Sequence, residues 1–104
     1  VTEVLVFDEI DANIGGEVGR VVGEKMRAVA KSRQVIAITH LPQSAACGDR
    51  HLVVSKSVKG GRTRTRVACV DGAERVSEIV RMLGGEGSTG AVRRHAEELL
   101  RTKG

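Results

Sequence analysis

Asp8, Glu9, Asp11 and His40 are the titratable residues whose types and positions could do chemistry together. Asp8 and Glu9 follow directly on Val4-Leu5-Val6-Phe7, an uninterrupted apolar run of the kind presented by a parallel strand buried on both faces. In open α/β sheets, ligands sit just beyond the carboxyl ends of such strands. There the first carboxylate can hold a hydrated Mg²⁺ and the second can orient or deprotonate a water, the two tasks that phosphoryl transfer needs. An imidazole reaching the same edge can hydrogen-bond phosphate oxygens. Each residue also has a plain structural reading. Acids are common at strand-to-loop junctions, and Asp11 stands in a loop, where Asp forms local turns. A histidine after an apolar strand is often simply packed and hydrogen-bonded. Chemistry is favoured only if the surrounding elements bring these groups to one edge.

The order of elements predicts that they do. After Gly15-Gly16, the residues Val18, Val21, Val22, Met26 and Val29 recur at three- and four-residue spacing, the stripe of an amphipathic helix. Gln34-Val35-Ile36-Ala37-Ile38 is a second short strand, stopped at Thr39-His40-Leu41-Pro42 because proline lacks the N–H that pairing requires. A strand, helix, strand unit of this kind is almost always parallel. Asp8, Glu9 and His40 are therefore expected on the same rim. Further on, His51 to Val58 and Arg62 to Val70 read as extended segments joined by Lys59-Gly60-Gly61, a connection suited to a hairpin that adds antiparallel strands to the sheet. Asp71-Gly72-Ala73-Glu74 has the spacing of a capping box. Val76, Ile79, Val80 and Leu83 give the helix after it an apolar face, which Gly84-Gly85 should end. A last helix, capped by Ser88 or Thr89, would bury Val92, Ala96, Leu99 and Leu100. The expected fold class is α/β, a mixed sheet with one parallel pair, an antiparallel hairpin and two C-terminal helices packed on the sheet.

Composition sets the limits. A chain of 104 residues is one small domain, residues 1–104, with a modest core. Phe7 is its single aromatic residue, so Val, Leu, Ile and Ala must build that core. A net charge of +4 favours association with polyanions without requiring it. Cys47 and Cys69 form no CxxC pair, which points to reduced thiols in a cytoplasmic protein and to small apolar fillers. No apolar run approaches the roughly twenty residues that span a bilayer, so no membrane partner is expected. The first residue is a valine already inside a strand pattern, from which a piece of a longer protein is expected.

Three further features bear on partners. Arg62, Arg64 and Arg66 alternate along one strand and so share a face. Such a stripe is ordinarily a solvated, aggregation-resistant strand, and its functional alternative is a phosphate-contacting patch with strongly salt-dependent binding. No aromatic residue interleaves the arginines, which argues against base stacking. His51 and His95 have no Cys or His at ligand spacing and read as structural or solvent-exposed. Finally, the phosphate-cradling pattern G-x-x-x-x-G-K-[ST] occurs nowhere in the chain.

Four segments carry a family resemblance. VLVFDEIDANIGG from Val4 to Gly16 resembles the Walker B and D-loop region of ABC-type ATPase heads, and ITHLPQSAA from Ile38 to Ala46 resembles their switch-histidine loop. With SKSVKGGRTRTRV from Ser55 to Val67 and ERVSEIVRMLGG from Glu74 to Gly85, the likeness is to the RecN family, bacterial SMC-like proteins of double-strand-break repair. The resemblance implies a partial P-loop NTPase fold, the distal part of a C-terminal head lobe that supplies Walker B, D-loop and switch histidine. Asp8 would support Mg²⁺ through water, and Glu9 would be the general base for ATP hydrolysis. Asp11 would lie in the D-loop facing a second head, His40 would contact the γ-phosphate, and Gln43 would support it. Implied partners are the N-terminal lobe of the same chain carrying Walker A, a second head in a homodimer, and DNA; the implied location is cytoplasmic, at the nucleoid. These residues alone, without Walker A or signature motif, are expected to be inactive. The alternative is a non-catalytic module for DNA binding or head dimerisation that uses the basic hairpin.

Overall fold

The computed structural model describes residues 4–8, 15–84 and 90–101. Strand β1 (Val4–Asp8) leads through helix α1 (Gly16–Val29) to strand β2 (Gln34–Ile38). A single turn of helix, α2 (Pro42–Ala45), precedes the hairpin of β3 (His51–Lys59) and β4 (Arg62–Val70), and the helices α3 (Gly72–Met82) and α4 (Gly90–Arg101) follow. Strands β1 and β2 are parallel, in a register that runs from Val4 opposite Gln34 to Asp8 opposite Ile38. Both strand limits and the pairing agree with the apolar runs that predict them. The expectation of burial on both faces does not hold, because Val6 is 62% exposed and Val4, Ile36 and Ile38 are similarly open. Leu5, Phe7 and Val35 are half-buried on the opposite face. Among the described residues these two strands pair only with each other, and one face of the pair stays uncovered.

The hairpin forms a second two-stranded sheet and does not extend the first, correcting the single mixed sheet. Between β2 and β3 the chain passes through α2 and its following turn, which carry it away from the first ladder. Nine residue pairs, from His51 opposite Val70 to Lys59 opposite Arg62, join β3 to β4. Gly60 and Gly61 make the connection with φ of 59° and 77°, the left-handed pair that matches the twist of a two-residue hairpin and that glycine adopts without strain.

Helix α1 buries only part of its expected stripe, with Met26 buried and Val22 and Val29 half-buried. Val18 and Val21 are exposed, whereas Gly19, Gly23 and Met26 are buried. The reason is close approach: a Cβ at Gly19 would fall 2.9 Å from Leu41 Cδ1, and one at Gly23 would fall 2.8 Å from Cys47 Sγ. Missing side chains let α2 lie against α1. On the polar side Arg20 pairs with Glu17 at 2.8 Å and also with Glu24, exposed pairs that add little stability.

The core gathers Ala46, Ile79, Val80 and Ala96, with Val76, Leu83, Val92, Leu99 and Leu100 around it. Ile79 is fully buried, a contribution of about 1.5–3 kcal/mol. Helices α3 and α4 therefore pack on each other and on the end of α2, in place of the sheet packing expected for them. Asp71 is the N-cap of α3 but its side chain makes no cap bond. Gly72, at φ 51°, turns the chain there, and the Asp71 carbonyl accepts the Arg75 N–H at 3.1 Å. Gly84 ends α3 as expected, at φ 80° with its N–H donating to the Arg81 carbonyl at 2.9 Å. The Ser88 or Thr89 cap and Gly85 lie outside the described residues.

Candidate functional site

Two strand ends lie side by side at the carboxyl rim of the parallel pair. Asp8 is the last residue of β1, is exposed, and stands opposite Ile38. Two residues beyond Ile38 comes His40, exposed on the turn that leaves β2. The Thr39 hydroxyl accepts the Leu41 N–H at 3.0 Å, which closes that turn. Leu41 itself is extended, as a residue before proline must be, and Pro42 opens α2. Gln43 then reaches to the start of α1, where a Cβ at Gly16 would fall 2.8 Å from its Nε2. Parallel pairing thus brings Asp8 and the turn bearing His40 to one rim, while Gln43 lies against the first turn of α1. Glu9, Asp11 and the D-loop stretch Ala12-Asn13-Ile14 lie outside the described residues.

The loop that carries His40 and Gln43 is held from behind. Ser44 Oγ donates to the Gly19 carbonyl at 2.8 Å, and Cys47 Sγ donates to the Gln43 carbonyl at 3.4 Å. Arg27 on α1 donates from Nη1 to the Cys47 carbonyl at 3.1 Å and to Asp49 Oδ1 at 2.7 Å. From the other side, Arg75 on α3 donates from Nη2 to the carbonyls of Ala45 at 3.1 Å and Gly48 at 2.7 Å. The Ala45 carbonyl, which ends α2, also accepts the Gly48 N–H at 3.2 Å. Nothing in the spacing of the sequence marks Ser44 or Arg27 for this role. A signal existed for Arg75, which is four residues before Ile79 on the apolar face of α3.

His51, at the start of β3, is buried, and its Nδ1 has no hydrogen-bond partner among the described residues. Burial, followed by the charge of Arg75, holds its pKa below the usual histidine value. Cys47 is buried, as expected, and burial pushes its thiol up. Cys69 is exposed on the hairpin, so it is no core filler. His95 is exposed on α4. No group of three or more His, Cys, Asp or Glu side chains that could hold a metal occurs among the described residues. Nor is any described helix long and apolar enough to cross a membrane.

Arg62, Arg64 and Arg66 share one exposed face of the hairpin, and the register adds Lys59, directly opposite Arg62. Ser57 and Ser55 stand opposite Arg64 and Arg66, so no acid interrupts this face along that length. Leu52, Val54, Val58 and Val67 lie exposed on the other face.

In its fold the chain resembles part of a solved SMC ATPase structure. That structure, described as structural biochemistry of ATP-driven dimerization and DNA stimulated activation of SMC ATPases, superposes with a TM-score of 0.58 at 20% identity, over 82% of this chain and 50% of that one. No protein-family model matches. In sequence the chain is RecN-like over nearly its whole length. It is 46% identical over 97 residues to the DNA repair protein RecN of Streptomyces coelicolor, 45% over 97 to that of Bacillus subtilis and 46% over 99 to that of Deinococcus radiodurans. The matches cover 93% to 95% of this chain and 17% of the length of those relatives.

Proposed function

We propose that this chain supplies one side of the ATP-binding and hydrolysing head of a RecN-like protein acting in DNA double-strand-break repair and recombination, in the cytoplasm at the nucleoid. One observation carries the reading: the parallel register that sets Asp8 opposite Ile38 and so brings His40 to the same rim. The residues there suit a magnesium nucleotide. An exposed strand-end carboxylate is a hard oxygen donor that can hold hydrated Mg²⁺ through water, and an imidazole can hydrogen-bond phosphate oxygens. When bound, magnesium–ATP supplies the scissile phosphoanhydride and a cation that offsets charge developing on the phosphate.

The chain's own residues then divide the work. Asp8 holds the hydrated cation, and Glu9, next along the chain, orients water and accepts its proton. His40 hydrogen-bonds the outermost phosphate, while Gln43 braces the loop against Gly16. Asp11 and the D-loop meet a second head across a homodimer. Walker A comes from the N-terminal lobe of the same protein, so the 104-residue piece alone is inactive. Release of the paired heads after hydrolysis would alter how the protein holds DNA.

The test is Glu9→Gln in the full-length protein. Turnover should fall by at least 10²-fold, within the range for a lost general base, while ATP-bound head dimers accumulate. Turnover at the wild-type rate refutes the reading. The second reading, a non-catalytic DNA-binding or head-dimerisation module, rests on the uninterrupted basic face of Lys59, Arg62, Arg64 and Arg66. Under it, Glu9→Gln is silent.

A further inference from the structure

Helix α2 is four residues long, too short to be stable by itself, yet it sets the direction of the loop bearing His40 and Gln43. Packing against Gly19 and Gly23 fixes its distance from α1. Arg75 fixes its other end, with one nitrogen spanning the carbonyls of Ala45 and Gly48. This guanidinium is an expensive way to add stability. Arg75 is 8% exposed, its Nε has no hydrogen-bond partner among the described residues, and no carboxylate pairs with it in an ion pair there. A buried charge that is incompletely partnered costs desolvation, and an apolar side chain of similar volume is often at least as stabilising. What an apolar residue could not do is hold two particular carbonyls at hydrogen-bonding distance. The bonds of Arg75 run from α3, which packs with α4 in the core, to the turn behind the rim.

We propose that Arg75 is the positioning residue of the His40–Gln43 loop: by gripping from α3 the Ala45 carbonyl at the end of α2 and the Gly48 carbonyl in the turn after it, it sets the angle at which His40 meets the carboxyl rim of β1 and β2. The proposal rests on the reading of that loop as phosphate-facing. It also makes the α3–α4 pair the rigid support of the site, so a movement of those helices would be transmitted to His40.

The experiment uses the full-length protein with Arg75→Leu, Arg75→Lys, His40→Ala and the double variant His40→Ala/Arg75→Leu. Steady-state ATP hydrolysis is measured beside hydrogen exchange over Thr39–Cys47, and circular dichroism confirms folding. Arg75→Leu should lower kcat at least tenfold with KM changed less than threefold, and should speed exchange over Thr39–Cys47. Arg75→Lys, which keeps a donor but not the fork, should recover part of kcat. The double variant should be no slower than His40→Ala, since the two residues act as a unit. A wild-type kcat in Arg75→Leu, kcat and KM losses that track a lowered Tm, or multiplying losses in the double variant would each overturn the proposal. If His40→Ala turns over at the wild-type rate, the phosphate-facing reading is what fails. Exchange then decides the role of Arg75, and unchanged exchange in Arg75→Leu overturns it.

Discussion

Replacing Gly23 by alanine adds a methyl group on the face of α1 that touches α2. The added Cβ would lie 2.8 Å from Cys47 Sγ, 3.1 Å from Ser44 Cα and 3.2 Å from Cys47 Cβ. Ser44 Cα is backbone and cannot rotate away, while Cys47 is buried with its thiol bonded to the Gln43 carbonyl. Overpacking of this kind costs about 1–3 kcal/mol, and the rigid neighbour puts Gly23 in the upper half of that range. Alanine returns about 1 kcal/mol through helix propensity. The net expectation is a loss of about 1–2 kcal/mol, or a fall in Tm of roughly 5–10 °C for a domain of this size. Gly19→Ala is the control, because its nearest neighbour is Leu41 Cδ1 at 2.9 Å, the end of a flexible side chain, and Ser44 Oγ lies at 3.4 Å. Its clash relieves by rotation, so propensity should leave it neutral or up to about 1 kcal/mol more stable. Thermal and urea unfolding of both variants measure the difference. A double-mutant cycle with Cys47→Ala should show favourable coupling of about 1 kcal/mol as the sulfur is removed. If Gly23→Ala is as stable as Gly19→Ala, the close-approach account of the α1–α2 contact is wrong.

Three other outcomes are expected. His51 titrates at lower pH folded than unfolded, so as pH falls below its ordinary value of about 6.5 the unfolded chain takes up the proton first. Stability should then decline from about pH 7 downward until the folded pKa is passed, and unfolding against pH should be flatter in His51→Gln; equal slopes would refute this. In the 104-residue chain a thiol reagent should modify exposed Cys69 promptly and buried Cys47 only at the rate of opening, and equal rates, read by mass spectrometry, would contradict the burial. Arg64→Glu in the full-length protein should weaken DNA binding and reduce the slope of log affinity against log salt by about 1; an unchanged slope would leave the stripe as solvated surface.

Much of the fold was legible because the relevant signals are local. β1 and β2 are visible as apolar runs, and the hairpin limits follow from Gly60-Gly61, whose left-handed backbone few other residues accept. The apolar face of α3 and its stop at Gly84 follow from spacing and from the same glycine property. Helix α1 was legible only in part, because its stripe marked Met26 and the half-buried Val22 and Val29 but not Gly19 and Gly23, which make its contact with α2. Hydrophobic periodicity reports what gains from leaving water, and says little about where two backbones come close. Arg75 was missed for a related reason, since a charged residue on an apolar face is assigned to solvent unless its acceptors are known.

From the residues alone came the acid pair after an apolar strand, the strand, helix, strand order that predicts a shared rim, the hairpin and the RecN-like motifs. These depend on chain neighbours and on periods of two or about 3.6 residues, which any stretch of sequence records. Tertiary structure decided that α2 is wedged between the glycine face of α1 and the guanidinium of α3, that the hairpin stands as its own sheet, and that Lys59 joins the arginine face. Those facts depend on groups distant in sequence, such as Arg75 and the Ala45 carbonyl thirty residues before it. Such pairs are chosen by the fit of whole surfaces, in which the absence of a Cβ or the reach of one side chain outweighs local preference.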